Sequence, residues 1–82
     1  MKKVLITGAS GGIGLEVAKL LATKNYQITL VARREDALNK AKSVLAGTGH
    51  SIHVSDLTKQ EDVQKLAAHI TANSYDVLIN NA

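Results

Sequence analysis

The chain has 82 residues, a formal net charge of +3, and neither cysteine nor proline. That length supports one domain with a thin core, because so short a chain buries only about 60–65% of the surface it exposes when unfolded. Disulfides and thiolate metal sites are excluded, and with two tyrosines as the only aromatics there is no stacking platform for nucleic acid.

The N-terminus, MKKVLITGAS, has too short an apolar run for a signal peptide, and no stretch reaches membrane-spanning length. No membrane or nucleic-acid partner is therefore expected, and the expected location is cytoplasmic. KVLIT (3–7) is a continuous apolar run closed by Gly8, which reads as a strand covered on both faces. Ile13, Val17, Leu20 and Leu21 then fall at helical spacing, a stripe that Asn25 can close. QITLVA (27–32) is the second strand. Leu38, Ala41, Val44 and Leu45 mark a second helix, with Gly47 past its end. SIHV (51–54) is the third strand. Thr58 and Glu61 spell a capping box for a third helix carrying Val63, Leu66, Ala67 and Ile70. DVLI (76–79) is the fourth strand.

The product is βαβαβαβ over residues 1–82. Strands joined by right-handed helical crossovers are parallel, so the expected fold class is α/β, a three-layer doubly wound parallel sheet of Rossmann-like type. Its expected strand order is 3-2-1-4.

TGASGGIG (7–14) joins the first strand to the first helix. It lacks the Lys-Ser or Lys-Thr of a Walker-type loop, and Gly8, Gly12 and Gly14 depart from G-x-G-x-x-G spacing. They can do the same work. Gly8 takes the tight turn, Gly12 lets backbone approach a diphosphate, and Gly14 lets the helix pack closely, while free amides at the helix start hold the anion. The same stretch spells G-x-S-x-G, a nucleophile elbow that would make Ser10 a hydrolase nucleophile with His50, His53 or His69 as base. Only seven residues precede Gly8, too few for the earlier strand that supplies an oxyanion hole. The histidines suggest no metal site: His50 and His53 point to opposite faces, and His69 stands alone on a helix.

T-G-x-x-x-G-x-G after an N-terminal strand resembles the short-chain dehydrogenase/reductase family. Asp56-Leu57 after the third strand and Asn80-Asn81-Ala82 after the fourth match two further family signatures in order and spacing, the last of which continues N-N-A-G in the family. The resemblance implies that Ser10 and Ile13 border the cofactor diphosphate and that Asp56, with Leu57 backbone beside it, accepts from the adenine amino group. It places Asn81 and Ala82 near the nicotinamide-side ribose, and makes Asn80 a tie between strand ends.

Where NAD-preferring relatives carry a ribose-binding acid, this chain has Ala32, followed by Arg33 and Arg34. Guanidinium groups match a 2′-phosphate, so the cofactor expected is NADP(H); the plainer reading is two solvated arginines ahead of a helix. The family's catalytic serine and Tyr-x-x-x-Lys lie beyond the fourth strand in the resemblance. Tyr26 is followed four residues on by Leu30, and Tyr75 by Ile79. No catalytic or metal-binding residue is therefore expected here. The expected protein is the partial dinucleotide-binding domain of an NADP-dependent reductase, inactive alone. The alternatives are a non-catalytic nucleotide-binding module and, remotely, the Ser10 hydrolase. An apolar fourth strand at a sheet edge predicts self-association through that edge or by exchange of elements.

Overall fold

The apolar runs pair as one parallel sheet in the computed structural model, which describes residues 1–81. The strands β1 (Lys3–Thr7), β2 (Gln27–Ala32), β3 (Ser51–Val54) and β4 (Val77–Asn80) lie in the order β3-β2-β1-β4. Thr7 sits opposite Val31 on one side and Asn80 on the other, and Ala32 sits opposite Val54. The carboxyl ends of all the strands thus share one edge. β1 is the switch point, with the chain running outward through β2 and β3 on one side and reaching β4 on the other.

Helices α1 (Gly12–Thr23), α2 (Glu35–Ser43) and α3 (Gln60–Asn73) connect the strands and complete the three layers. Alternation along each strand divides the core. Val4, Ile6, Ile28 and Leu30 meet Ala18 and Ala22 of α1 and Leu38 and Ala41 of α2, while Leu5 and Val31 meet Leu66 on the α3 side. The α1/α2 face holds most of the buried apolar residues, and complete burial of a side chain such as Leu38 contributes about 1.5–3 kcal/mol. α1 ends as its sequence suggests, with Asn25 in the left-handed region at φ 70.

The second helix stops at Ser43, short of Val44 and Leu45, and Val44 is exposed. Three further expectations need correction. The buried line of α1 is Gly14, Ala18 and Ala22, whereas Ile13 and Leu20 are 75% and 57% exposed and Val17 only half-buried. Both lines have helical periodicity, but small side chains let the helix axis approach the sheet, and Ile13 and Leu20 are left exposed. Nor does Thr58 cap α3. The N-cap is Lys59 with no side-chain bond, and Thr58 Oγ1 donates instead to Asp56 Oδ1 at 2.7 Å.

His69 is not alone either. Its ring centre lies 4.7 Å from that of His53, and its Nε2 is 2.7 Å from the Tyr75 hydroxyl, which donates to Thr29 Oγ1 at 2.9 Å. Thr29 in turn bonds Ser51 Oγ at 2.8 Å. Since Tyr75 donates onward, His69 Nε2–H is the donor to it and Nδ1 accepts from Asn73 Nδ2 at 3.2 Å. This chain of polar groups ties α3 to β2 and β3, where the apolar contact is thinnest. β4 carries its expected exposed edge: Leu78 is 56% exposed and, among the described residues, the strand pairs with β1 only.

Candidate functional site

The glycine loop leaves β1 at the carboxyl edge of the sheet. Gly8 has φ +62, and a Cβ there would collide with the Asn81 carbonyl oxygen, so only glycine fits the turn. Ala9 is buried, and its amide donates to Val31 O at 3.2 Å. A Cβ on Gly14 would stand 2.6 Å from Gly8 O and 2.7 Å from Asn81 Nδ2. α1 therefore starts directly on top of the turn. Its first bond runs from Leu15 N to Gly11 O at 3.4 Å, and the amides before Leu15 have no partner within the helix.

The end of β4 is fastened to this loop. Thr7 Oγ1 donates to Asn80 Oδ1 at 2.9 Å and accepts from Asn81 N at 3.1 Å, while Asn81 Nδ2 donates to Gly8 O at 3.2 Å. Asn80 thus ties β4 to β1, and Asn81 braces the glycine turn.

Beyond β2, Arg33 and Arg34 are exposed. Arg34 Nη2 stands 3.6 Å from Asp36 Oδ2 with both side chains largely in solvent, an ion pair worth at most about 1 kcal/mol and easily given up. Beyond β3, the buried Ser55 donates its amide to Ala32 O at 2.8 Å. Asp56 Oδ1 accepts from Thr58 Oγ1 at 2.7 Å and from Thr58 N at 3.0 Å. The side-chain bond first and the backbone bond second hold the Asp56 carboxyl below the usual carboxylate range, with the Arg33 charge adding to the effect.

A cleft of about 410 Å³ at this edge brings together Gly8, Ser10, Arg33, Arg34, Asp56 and Leu57, with Val31, Ala32, Ser55 and Thr58 completing the wall. Gly12 and Ile13 lie around the corner, in a shallow depression on the outer flank of α1, and Gly14 is buried beneath the loop. Asn81 flanks the turn, and Ala82 lies outside the described residues. Among the described residues no histidine lines the cleft. His50 is engaged elsewhere, accepting from Ile28 N at 3.0 Å through Nδ1 and lying 2.7 Å from Ala46 O through Nε2. Ser10 consequently has no imidazole beside it, which removes the geometric basis of the hydrolase reading. Sequence reasoning missed Ser55 and Thr58 as wall residues. The Asp-Leu-Thr spacing was a usable signal for Thr58, since an aspartate commonly accepts from the amide two residues on.

Among the described residues no cluster of three or more potential ligands could hold a metal, and no helix is long and apolar enough to cross a membrane.

The sequence pattern of short chain dehydrogenase matches residues 2–82. A fatty acyl-CoA reductase of Acinetobacter baylyi is 41% identical over 99% of this chain and 29% of its own length. A bulky-bulky ketone specific alcohol dehydrogenase from Comamonas testosteroni superposes with a TM-score of 0.93 at 31% identity, over 100% of this chain and 34% of the other. An actinorhodin polyketide ketoreductase structure with NADPH gives 0.84 at 33% identity, over 99% of this chain and 33% of the other. The chain thus spans about a third of the length of these relatives.

Proposed function

The chain belongs to the short chain dehydrogenase family, and on that premise we propose that residues 1–82 are the NADP(H)-binding portion of an oxidoreductase moving hydride between NADP(H) and a carbonyl or alcohol substrate. One observation carries the choice of cofactor. The cleft wall at the end of β2 presents Arg33 and Arg34 after Ala32, with no carboxylate at that strand end to repel a 2′-phosphate.

The surrounding residues fit the rest of the nucleotide. The Gly8 turn has no room for a side chain, Gly12 faces open space, and the amides opening α1 suit a diphosphate. Ser10 and Ile13 flank that position, and Gly14 seats the helix. Asp56 and Leu57 suit the adenine, and the family resemblance assigns Asn81 and Ala82 to the ribose on the nicotinamide side. When bound, the nicotinamide supplies or accepts the hydride; the role of this chain is to orient the nucleotide. The reductase and dehydrogenase names of its relatives, and the NADPH of one of them, support the reading.

A guanidinium–phosphate contact contributes about 1.5–3 kcal/mol, which corresponds to roughly a ten- to hundredfold preference for NADPH over NADH. Calorimetric titration of both nucleotides tests this, with Arg33→Asp expected to reverse the order; equal or tighter binding of NADH to the unaltered chain refutes it. By itself the 82-residue chain should not oxidise NADPH with any carbonyl compound, since among the described residues no tyrosine–lysine pair lines the cleft. The reading also includes a cytoplasmic location and self-association through the exposed β4 edge or by exchange of elements. A concentration-independent monomer in sedimentation would rule out the association.

A further inference from the structure

We propose that Asp62, on α3 and outside the cleft, is a positioning residue that aims Asp56 at the adenine of the bound nucleotide. The inference rests on the reading of Asp56 given above. Asp62 is the third residue of α3, where an acidic side chain ordinarily reaches back to the amide of its own N-cap. That amide is already used, because Lys59 N donates to Asp56 O at 2.9 Å. The Asp62 carboxylate instead crosses to the preceding loop, and its Oδ2 accepts from Asp56 N at 2.8 Å. Asp62 also accepts at its backbone oxygen from the buried Ser55 hydroxyl, at 3.4 Å.

Asp56 is therefore held at every polar point but one. Its carbonyl is bound by Lys59, its amide by Asp62, and its Oδ1 twice by Thr58. Among the described residues Oδ2 has no partner, and Asp56 lines the cleft. An acceptor fixed in this way suits a single donor such as the exocyclic amino group of adenine. The amide bond is charge-assisted and half-buried, so its loss frees rotation about the Asp56 backbone and the acceptor is no longer pre-aimed.

The test compares binding of NADPH with binding of reduced nicotinamide hypoxanthine dinucleotide phosphate, which has a carbonyl oxygen in place of the amino group. The unaltered chain should favour NADPH by roughly tenfold or more, as for a hydrogen bond to a charged acceptor. Asp62→Ala should remove most of that preference, largely at the expense of NADPH, while Asp62→Asn, which keeps an acceptor, should retain much of it. Equal weakening of both nucleotides, or no change in their ratio, overturns the proposal, since a merely structural role lowers both together. An unaltered chain that does not discriminate refutes the Asp56 reading itself, and the proposal with it. Should Asp62→Ala fail to fold, amide exchange in the nucleotide-free Asp62→Asn chain decides. The Asp56 amide should exchange faster than in the unaltered chain while core amides do not; an Asp56 amide unprotected in both overturns the proposal.

Discussion

Replacing Gly14 with alanine would put a methyl carbon 2.6 Å from the Gly8 carbonyl oxygen and 2.7 Å from Asn81 Nδ2. Ordinary contact begins near 3.4 Å, so the start of α1 must retreat by about 0.8 Å or the turn beneath it must deform. Asn81 can swing away, but the Gly8 oxygen belongs to a backbone turn held at φ +62 and cannot. Overpacking of this kind costs about 1–3 kcal/mol, and displacing the Asn81–Gly8 hydrogen bond adds about 1 kcal/mol. Alanine's better helix propensity returns up to about 1 kcal/mol. The net loss is about 1–3 kcal/mol, equivalent to roughly 5–20 °C in Tm for a domain of this size. Urea and thermal unfolding of Gly14→Ala should be compared with Gly11→Ser, a substitution into open space at the N-cap that should be neutral or slightly stabilising. Nucleotide affinity should fall in Gly14→Ala as well, because the amides opening α1 move with the helix. An unfolding midpoint equal to that of the unaltered chain would refute the close-approach argument.

The burial line of α1 can be tested directly: Ala18→Leu should cost about 1–3 kcal/mol by overpacking, while Ile13→Lys should change monomer stability by less than about 0.5 kcal/mol, and the reverse order of unfolding midpoints would reinstate the large-residue stripe. Burial first, and then the neighbouring His69, hold the His53 imidazole below its ordinary value against the opposing pull of Asp62. The folded chain thus takes up that proton later than the unfolded chain, so His53 costs nothing well above about pH 6.5 and destabilises increasingly as pH falls below it. His53→Gln should flatten this acid limb, measured as unfolding free energy between pH 7.5 and 5; an unchanged slope would show that the site is not desolvated.

Much of the fold was legible because its signals are local. β2 and β3 fall at the residues their apolar runs mark, and Asn25 closes α1 in the left-handed conformation its side chain tolerates. The Gly8 turn was legible for the same reason, since a position that excludes a Cβ leaves a glycine in the sequence. The burial of α1 was not, because apolar periodicity weighs Ile13 and Leu20 heavily and Ala18 and Ala22 lightly, although close packing on a sheet favours the smaller pair. The role of Thr58 was misread because one hydroxyl satisfies either a capping box or a turn, and the choice depends on where Asp56 is held.

From its residues alone the chain determined a doubly wound parallel sheet with an anion-suited glycine turn after its first strand, because hydrophobic period and glycine placement act over a few neighbouring positions. Only the folded structure decided which flank of α1 faces the sheet, that Asn81 braces Gly8, that Tyr75 joins His69 to Thr29, and that Asp62 reaches Asp56. The pairs Asn81–Gly8 and Tyr75–Thr29 are separated by 73 and 46 residues. Hydrogen bonds across such distances depend on where the sheet brings the strand ends together, and no local pattern encodes them.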